Sequence, residues 1–174
     1  MEKTGFIWMN GEMKKWDDAK VHVLSHALHY GSGVFEGIRF YKTPQGPAVF
    51  RLQDHIKRFF YSFGVFKKDG LPYTQQQIEA AVVELVKTNK VDEGYIRPLM
   101  FFGYGELGLY NYKKCEVNVA IALWPWARYL GSHAVSLKVS KYIRLHPQSV
   151  VSDAKICGYY VNSILASIDA KENG

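Results

Sequence analysis

The sequence predicts an α+β fold, because hairpin signals and helical periodicity follow each other along the chain. Asn10 and Gly11 stand between apolar flanks, the strongest short-range signal for a β-hairpin. Two β-rich runs, residues 34–41 and 47–51, surround the turn-forming residues 43–46 and predict a second hairpin. An antiparallel sheet is therefore expected in the first part of the chain.

Helices and further strands follow these hairpins. Residues 52–66 carry apolar side chains with a period of 3.6, which predicts an amphipathic helix. Thr74 followed three residues later by Gln77 is the signature of a capping box and predicts the start of a second helix. Residues 94–103 and 115–123 are strand-like and enclose a glycine-rich loop.

A change of pattern predicts a domain boundary. Residues 1–124 form the expected amino-terminal α+β domain, and the break in the strand pattern places an interdomain connection at residues 125–133. Residues 134–174 are expected to begin a second domain, with a strand over 134–142 and an amphipathic helix over 159–171. One strand and one helix cannot form an independent core, so this part is expected to need more chain or a partner.

Composition excludes several classes of protein. The 174 residues are 48% hydrophobic and 15% aromatic, and no apolar run approaches the roughly 20 residues of a membrane span. The basic start and long apolar stretch of a secretory signal are also missing, so a cytoplasmic protein is expected. The net charge is +6, but basic residues are scattered rather than arranged in a stripe, which argues against nucleic acid as a partner.

Neither cysteines nor histidines predict a metal site. Cys115 and Cys157 are far apart and form no CxxC pair, so we interpret both as small buried hydrophobic residues. His22, His26 and His29 would align on one helix face, but no carboxylate lies near them. Core or hydrogen-bonded histidines are far commoner, and no metal is expected.

Strand alternation predicts a small-molecule pocket. Successive side chains point to opposite faces, so Phe35, Gly37 and Arg39 share one face, and Tyr95 lies beside Arg97 on its own strand. The planar fork of arginine binds carboxylates through two hydrogen bonds. These pairs fit a ligand with an acidic group and an apolar body, although cross-strand packing with arginines at the rim fits the same pattern.

Lys155 is the strongest candidate for covalent chemistry. It lies in Ser-Asp-Ala-Lys-Ile-Cys-Gly-Tyr-Tyr, between a polar turn and a predicted helix start. Its apolar neighbours would favour the neutral amine, which can attack a carbonyl and form a Schiff base. Arg58, by contrast, lies off the apolar stripe of its helix, where a solvated surface arginine is the default interpretation.

Four motifs in order resemble one family along essentially the whole chain. They are Phe6-Ile7-Trp8-Met9-Asn10-Gly11, the run of residues 25–39 that ends in Phe-Glu-Gly-Ile-Arg, Tyr95-Ile96-Arg97-Pro98, and residues 154–163. Together they resemble the branched-chain amino-acid aminotransferases, pyridoxal-phosphate enzymes of fold type IV. The expected fold is therefore the small domain of that fold type, an antiparallel sheet with helices, followed by the truncated start of the large, cofactor-binding domain.

The resemblance implies a role for each matching residue. Lys155 would hold pyridoxal 5'-phosphate covalently and move the substrate proton, Arg58 would bind the cofactor phosphate, and Tyr160 would contact its phenolic oxygen. Tyr30 and Leu109 match residues lent by the neighbouring subunit, which implies a homodimer or larger assembly. The residues matching the substrate pocket are Phe35, Gly37, Arg39, Tyr95, Arg97, Trp126 and Tyr129, of which Arg97 would hold the distal carboxylate of glutamate.

The implied reaction is transfer of the amino group of leucine, isoleucine or valine to 2-oxoglutarate. Alternatives on the same fold are a D-amino-acid aminotransferase or an aminodeoxychorismate lyase, and a third is a non-catalytic folding or dimerisation fragment. Family members continue for roughly as much chain again, including the acid that pairs with the pyridine nitrogen, so this chain alone is expected to have little or no activity. Tyr159 replaces a common asparagine, and we expect it to change local packing only.

Overall fold

The computed structural model describes residues 2–126 and 134–172, and its centre is one antiparallel sheet of seven strands. The main strand order is β2-β1-β7-β6-β4-β5, and β3 pairs with β6 beside β4. The strands are β1 Phe6–Met9, β2 Glu12–Lys15, β3 Gly33–Phe35, β4 Ile38–Thr43, β5 Gly46–Val49, β6 Gly94–Phe102 and β7 Val117–Trp124. The helices are α1 His26–Tyr30, α2 Leu52–Gly64, α3 Gln75–Asn89 and α4 Tyr160–Glu172. This is the α+β architecture that the sequence predicts.

Both predicted hairpins are present. Asn10 and Gly11 have φ values of 51° and 92° and join β1 to β2, as a tight turn between twisted strands requires. The second hairpin pairs β4 with β5 and closes between Thr43 and Gly46. The turn residues therefore have the conformations that their sequence favours.

The predicted strand over residues 34–41 is interrupted at Glu36 and Gly37, which separate β3 from β4. The register across β6 continues through the gap, because Phe35 pairs with Leu99 and Ile38 pairs with Ile96. The Glu36 amide donates to the Pro98 carbonyl at 2.9 Å, but proline has no N–H to return the bond. Side-chain alternation is retained, so Glu36 lies on the buried face and its neighbours lie on the other.

Helices α2 and α3 pack against one face of the sheet through their buried side chains. Their apolar stripes share a core with strand residues, and burying one such side chain contributes about 1.5–3 kcal/mol. The capping box is formed as predicted: the Gln77 amide donates to the Thr74 hydroxyl at 3.3 Å, and the Thr74 amide donates to the Gln77 side chain at 2.8 Å. Fully buried members of the core include Ile38, Ile56, Phe59, Phe63, Ile78, Val82, Leu85, Ile96 and Ile121.

The strand predicted over residues 134–142 is wrong. These residues form no strand in the described chain, since no described strand lies beside them to complete the hydrogen bonds that an extended backbone needs. The segment instead contacts α4: the Lys138 amine and the Lys141 amide both donate to the Asp169 carboxylate. The predicted final helix is present, and the interdomain connection lies largely outside the described residues.

No helix within residues 2–126 and 134–172 is long and apolar enough to cross a membrane.

Candidate functional site

The segment that carries Lys155 lies between β3 and α2. The Phe35 amide donates to the Lys155 carbonyl at 3.2 Å, which attaches the segment to the end of β3. On its other side the Lys155 amide donates to the hydroxyl of Ser62 at 2.9 Å, and the Tyr61 hydroxyl donates to Asp153 at 2.7 Å. The backbone of Lys155 is therefore fixed by two elements of the main fold.

The Lys155 amine is held by aromatic residues. Its Nζ donates to the Tyr160 hydroxyl at 2.7 Å and lies 4.8 Å from the centre of the Phe35 ring. The Phe35 and Tyr160 rings pack with their centres 4.7 Å apart. A primary amine is thus oriented next to a phenol at the start of α4.

A cavity of about 420 Å³ opens at this amine. Its walls come from β3, β4, β6, the residues after β7, and the start of α4. The lining residues are Phe35, Arg39, Tyr95, Arg97, Trp126, Lys155 and Tyr160. The structure therefore brings together, on one face of the sheet, most of the residues that strand alternation and the resemblance predict.

Gly37 belongs to the same wall. A Cβ atom at this position would collide with the hydroxyl group of Tyr95. Only glycine leaves room for the Tyr95 ring in its present place. This explains why a residue without a side chain stands between Phe35 and Arg39 on this face of the sheet.

Arg97 is enclosed by aromatic rings. Its guanidinium carbon lies 4.5 Å from the centre of the Phe35 ring, 5.3 Å from that of Tyr95 and 5.9 Å from that of Trp124. One Nη atom donates to the Tyr95 hydroxyl at 3.1 Å, while the buried Nε finds no partner among the described residues. A buried donor without a partner is costly, so this guanidinium is suited to an anionic ligand.

A smaller cavity of about 150 Å³ lies beside Lys155 and is rich in cations. Arg58 and Arg144 both line it, together with Lys155 and Tyr160. Arg144 stacks on the Tyr160 ring at 5.3 Å and donates from Nε to Ser163 at 2.9 Å. Sequence reasoning missed Arg144, because a single arginine in an irregular segment carries no pattern; only its proximity to Tyr160 in space indicates a role.

Arg58 is half exposed, as its helix position predicts, but it is also held in an ion pair that the helix pattern does not indicate. Its Nε and Nη2 donate to the two carboxylate oxygens of Glu36 at 2.6 and 2.8 Å. The hydrogen bond to Glu36 raises the pKa of Arg58 above its ordinary value. Burial alone would raise the pKa of Glu36, but the hydrogen bonds from Arg58 and His55 hold it below its ordinary value.

Besides Gly37, three expected site residues are not among the described lining residues of these cavities. Tyr30 and Leu109 are exposed, at 42% and 81%. The His26 ring packs on Tyr30 at 4.5 Å, and its Nε2 is 3.2 Å from the carbonyl oxygen of Gly108. The third, Tyr129, lies outside the described residues.

Tyr159, the departure from the family pattern, packs against the core. Its hydroxyl accepts a hydrogen bond from the Val151 amide at 3.2 Å. Tyr159 also lines the 150 Å³ cavity beside Lys155 and Arg58, so its position is not limited to the packing role expected for it.

Comparisons with known proteins agree with this geometry. The chain is 41% identical to a branched-chain-amino-acid aminotransferase of Pseudomonas aeruginosa, over 99% of this chain and 57% of that protein. It also superimposes on a branched-chain amino acid aminotransferase from T.th. complexed with 4-methylvaleric acid, with a TM-score of 0.91, 41% identity, and coverage of 100% of this chain and 57% of the other. The same T.th. enzyme complexed with N-(5'-phosphopyridoxyl)-L-glutamate gives a TM-score of 0.90 at 40% identity, with the same coverage.

The chain thus spans a little over half the length of the relatives that it matches. The family model for Amino-transferase class IV matches residues 33–174, which include β3, Arg58, Lys155 and Tyr160. The chain belongs to the Amino-transferase class IV family.

Proposed function

We propose that the protein carrying this chain is a pyridoxal-phosphate-dependent aminotransferase of branched-chain amino acids. The observation that carries the proposal is the Lys155 amine, held 2.7 Å from the Tyr160 hydroxyl between a cavity lined by arginines and a cavity lined by aromatic residues. The relatives that match over nearly the whole chain carry the name branched-chain-amino-acid aminotransferase. The related T.th. enzyme has been solved with a phosphopyridoxyl–glutamate compound.

The residues present fit pyridoxal 5'-phosphate. The amine of Lys155 suits its aldehyde, the cations of Arg58 and Arg144 face a cavity beside that amine and suit its phosphate, and the Tyr160 hydroxyl suits its phenolic oxygen. When bound, the cofactor supplies an electron-withdrawing ring that makes the proton on the substrate Cα acidic.

The side chains of this chain then have separate tasks. The Lys155 amine would take the proton from the substrate Cα and return it to the C4′ carbon of the cofactor, acting as base and then as acid. Tyr160 orients that amine through its hydroxyl group. Phe35 covers the amine on one side at 4.8 Å and helps to exclude water.

The larger cavity suits both substrates of the proposed reaction. Aromatic walls from Phe35, Tyr95 and Trp126 accommodate the aliphatic side chain of leucine, isoleucine or valine. Arg97 accommodates the distal carboxylate of glutamate or 2-oxoglutarate, because it has a buried donor without a partner among the described residues. The apolar walls and the names of the matched relatives favour this substrate class over D-amino acids and aminodeoxychorismate.

The assembly is also part of the proposal. Tyr30 and Leu109 are exposed, and His26 contacts Tyr30 and the carbonyl of Gly108, the residue before Leu109; exposed side chains at these positions suit entry into the pocket of a second subunit in a homodimer. The expected partners are small molecules, namely amino acids and 2-oxo acids. Neither a nucleic acid nor a membrane is expected as a partner. We further propose that residues 134–174 begin the large domain and that the protein is cytoplasmic.

Substrate profiling tests this function. The experiment uses the longest natural chain that contains residues 1–174, supplied with pyridoxal phosphate and 2-oxoglutarate. We expect amino-group transfer from L-leucine, L-isoleucine and L-valine and little from their D-enantiomers. Preferential use of D-amino acids, or release of an aromatic amine from aminodeoxychorismate, would assign the fold to the alternative reactions. No transfer from any of these compounds would favour the non-catalytic alternative.

A further inference from the structure

Glu36 is a buried carboxylate for which the proposed reaction has no direct use. Its side chain has no exposed surface. It accepts two hydrogen bonds from Arg58, one from His55 at 2.9 Å and one from the Gly37 amide at 3.2 Å. A buried charge persists only when it is paired and hydrogen-bonded, and here every contact serves to keep Glu36 ionised and fixed.

The contacts of Glu36 determine which part of Arg58 faces the cavity. A guanidinium has five N–H donors, and Glu36 takes the one on Nε and one on Nη2. Three donors remain on the two Nη atoms. Arg58 also lines the 150 Å³ cavity next to Lys155 and Arg144, so donors that Glu36 leaves free are available to an anion in this cavity.

We propose that Glu36, supported by His55, is the positioning residue that holds Arg58 ready for the phosphate monoester of the cofactor. The proposal rests on the proposed function, because it names how the same site recognises its cofactor. Glu36 lines neither cavity, as it lies on the opposite face of its strand from Phe35 and Gly37.

Two opposing effects decide the sign of this contribution. The negative charge of Glu36 repels a phosphate, but Arg58 is in direct contact with that charge and Arg144 adds a second cation to the same cavity. Without Glu36, the Arg58 side chain, 49% exposed, would sample many rotamers, and ordering it on binding an anion would cost rotamer entropy. We infer that pre-ordering outweighs repulsion, because the guanidinium contacts Glu36 directly while it lines the cavity from which Glu36 itself is absent.

Glu36 lies between residues of the larger cavity in the chain and binds a residue of the smaller cavity. Its strand neighbours Phe35 and Gly37 belong to the wall of the larger cavity, and its carboxylate binds the arginine of the smaller one. The same three residues therefore set the distance between the substrate-facing wall and the arginine that would hold the phosphate.

The test compares pyridoxal phosphate with pyridoxal, which lacks the phosphate. Each aldehyde is added over a range of concentrations to the longest natural chain containing residues 1–174, reduced with borohydride, and quantified as the adduct on the Lys155 peptide. The ratio of the two half-saturating concentrations measures the contribution of the phosphate alone. We expect Glu36→Gln to lower the preference for pyridoxal phosphate by about tenfold while capture of pyridoxal is unchanged.

Two further variants keep the result interpretable. Glu84→Gln, at an exposed position of α3, is the matched control and should keep the preference of the wild type. His55→Phe removes one hydrogen bond from Glu36 without altering the carboxylate or Arg58, and should lower the preference by about threefold. If circular dichroism shows that Glu36→Gln does not fold, the aldehyde preference of His55→Phe tests the positioning role instead.

The outcomes separate the two proposals. A preference that is unchanged or higher in Glu36→Gln overturns the positioning role, and so does an equal loss of both aldehydes, which would show a purely structural contribution. If Glu36→Gln is unfolded, an unchanged preference in His55→Phe overturns it. Failure of the wild type to form either adduct on Lys155 overturns the proposed function, and the positioning role with it.

Discussion

Replacing Ser62 by alanine removes the acceptor of the Lys155 amide. Ser62 is fully buried, and the bond between the two residues is 2.9 Å long. Leaving a buried N–H without a partner costs about 1–3 kcal/mol, and alanine recovers up to about 0.5 kcal/mol of helix propensity in α2. The net loss of about 0.5–3 kcal/mol corresponds to a fall in melting temperature of about 1–12 °C for a chain of this size.

Ser167→Ala provides the control for this experiment. Ser167 is an exposed residue of α4, so its replacement has the same effect on helix propensity without removing a buried acceptor. Thermal unfolding followed by circular dichroism should show a lower melting temperature for Ser62→Ala alone. Equal melting temperatures for the two variants would refute the conclusion that α2 holds the Lys155 backbone through Ser62.

Two further predictions concern the residues around this segment. Gly37→Ala places a Cβ against the Tyr95 hydroxyl, so overpacking should cost about 1–3 kcal/mol and weaken substrate capture; Gly64→Ala, where nothing lies within 4 Å, should not destabilise. The pKa of Glu36 is held below its ordinary value of 4.5, so its stabilisation is complete above that pH and is lost as the pH falls through the lower folded-state pKa. Between about pH 5 and pH 3, the melting temperature of the wild type should therefore fall more steeply than that of Glu36→Gln, and parallel curves would contradict this.

Local sequence patterns account for much of the fold. The Asn10-Gly11 turn needs positive φ at both residues, and the Thr74 capping box acts within one helical turn, so each is specified by adjacent residues. Strand alternation likewise places Phe35 with Arg39 on one face, and Tyr95 with Arg97 on one face of their own strand, because it depends only on a regular backbone. Features of this kind do not depend on the rest of the molecule.

Features that depend on distant parts of the chain were predicted less well. The ion pair between Glu36 and Arg58 joins the link between β3 and β4 to α2, and helix periodicity alone gave no indication of it. Ser62 carries no signal until Lys155 is packed beside it. The strand expected over residues 134–142 has the composition of a strand, but composition does not provide a neighbouring strand, and the described chain has none next to it.

The most direct measurement of the central claim is the location of a reduced cofactor adduct. Pyridoxal phosphate is added to the longest natural chain that contains residues 1–174, borohydride is added, and the peptides are mapped by mass spectrometry, in parallel with Lys155→Ala. We expect a near-visible absorbance band before reduction and, after it, one adduct on the peptide carrying Lys155, both lost in the variant. An adduct spread over surface lysines, or one that persists in Lys155→Ala, would contradict the assignment of Lys155 as the cofactor-binding residue.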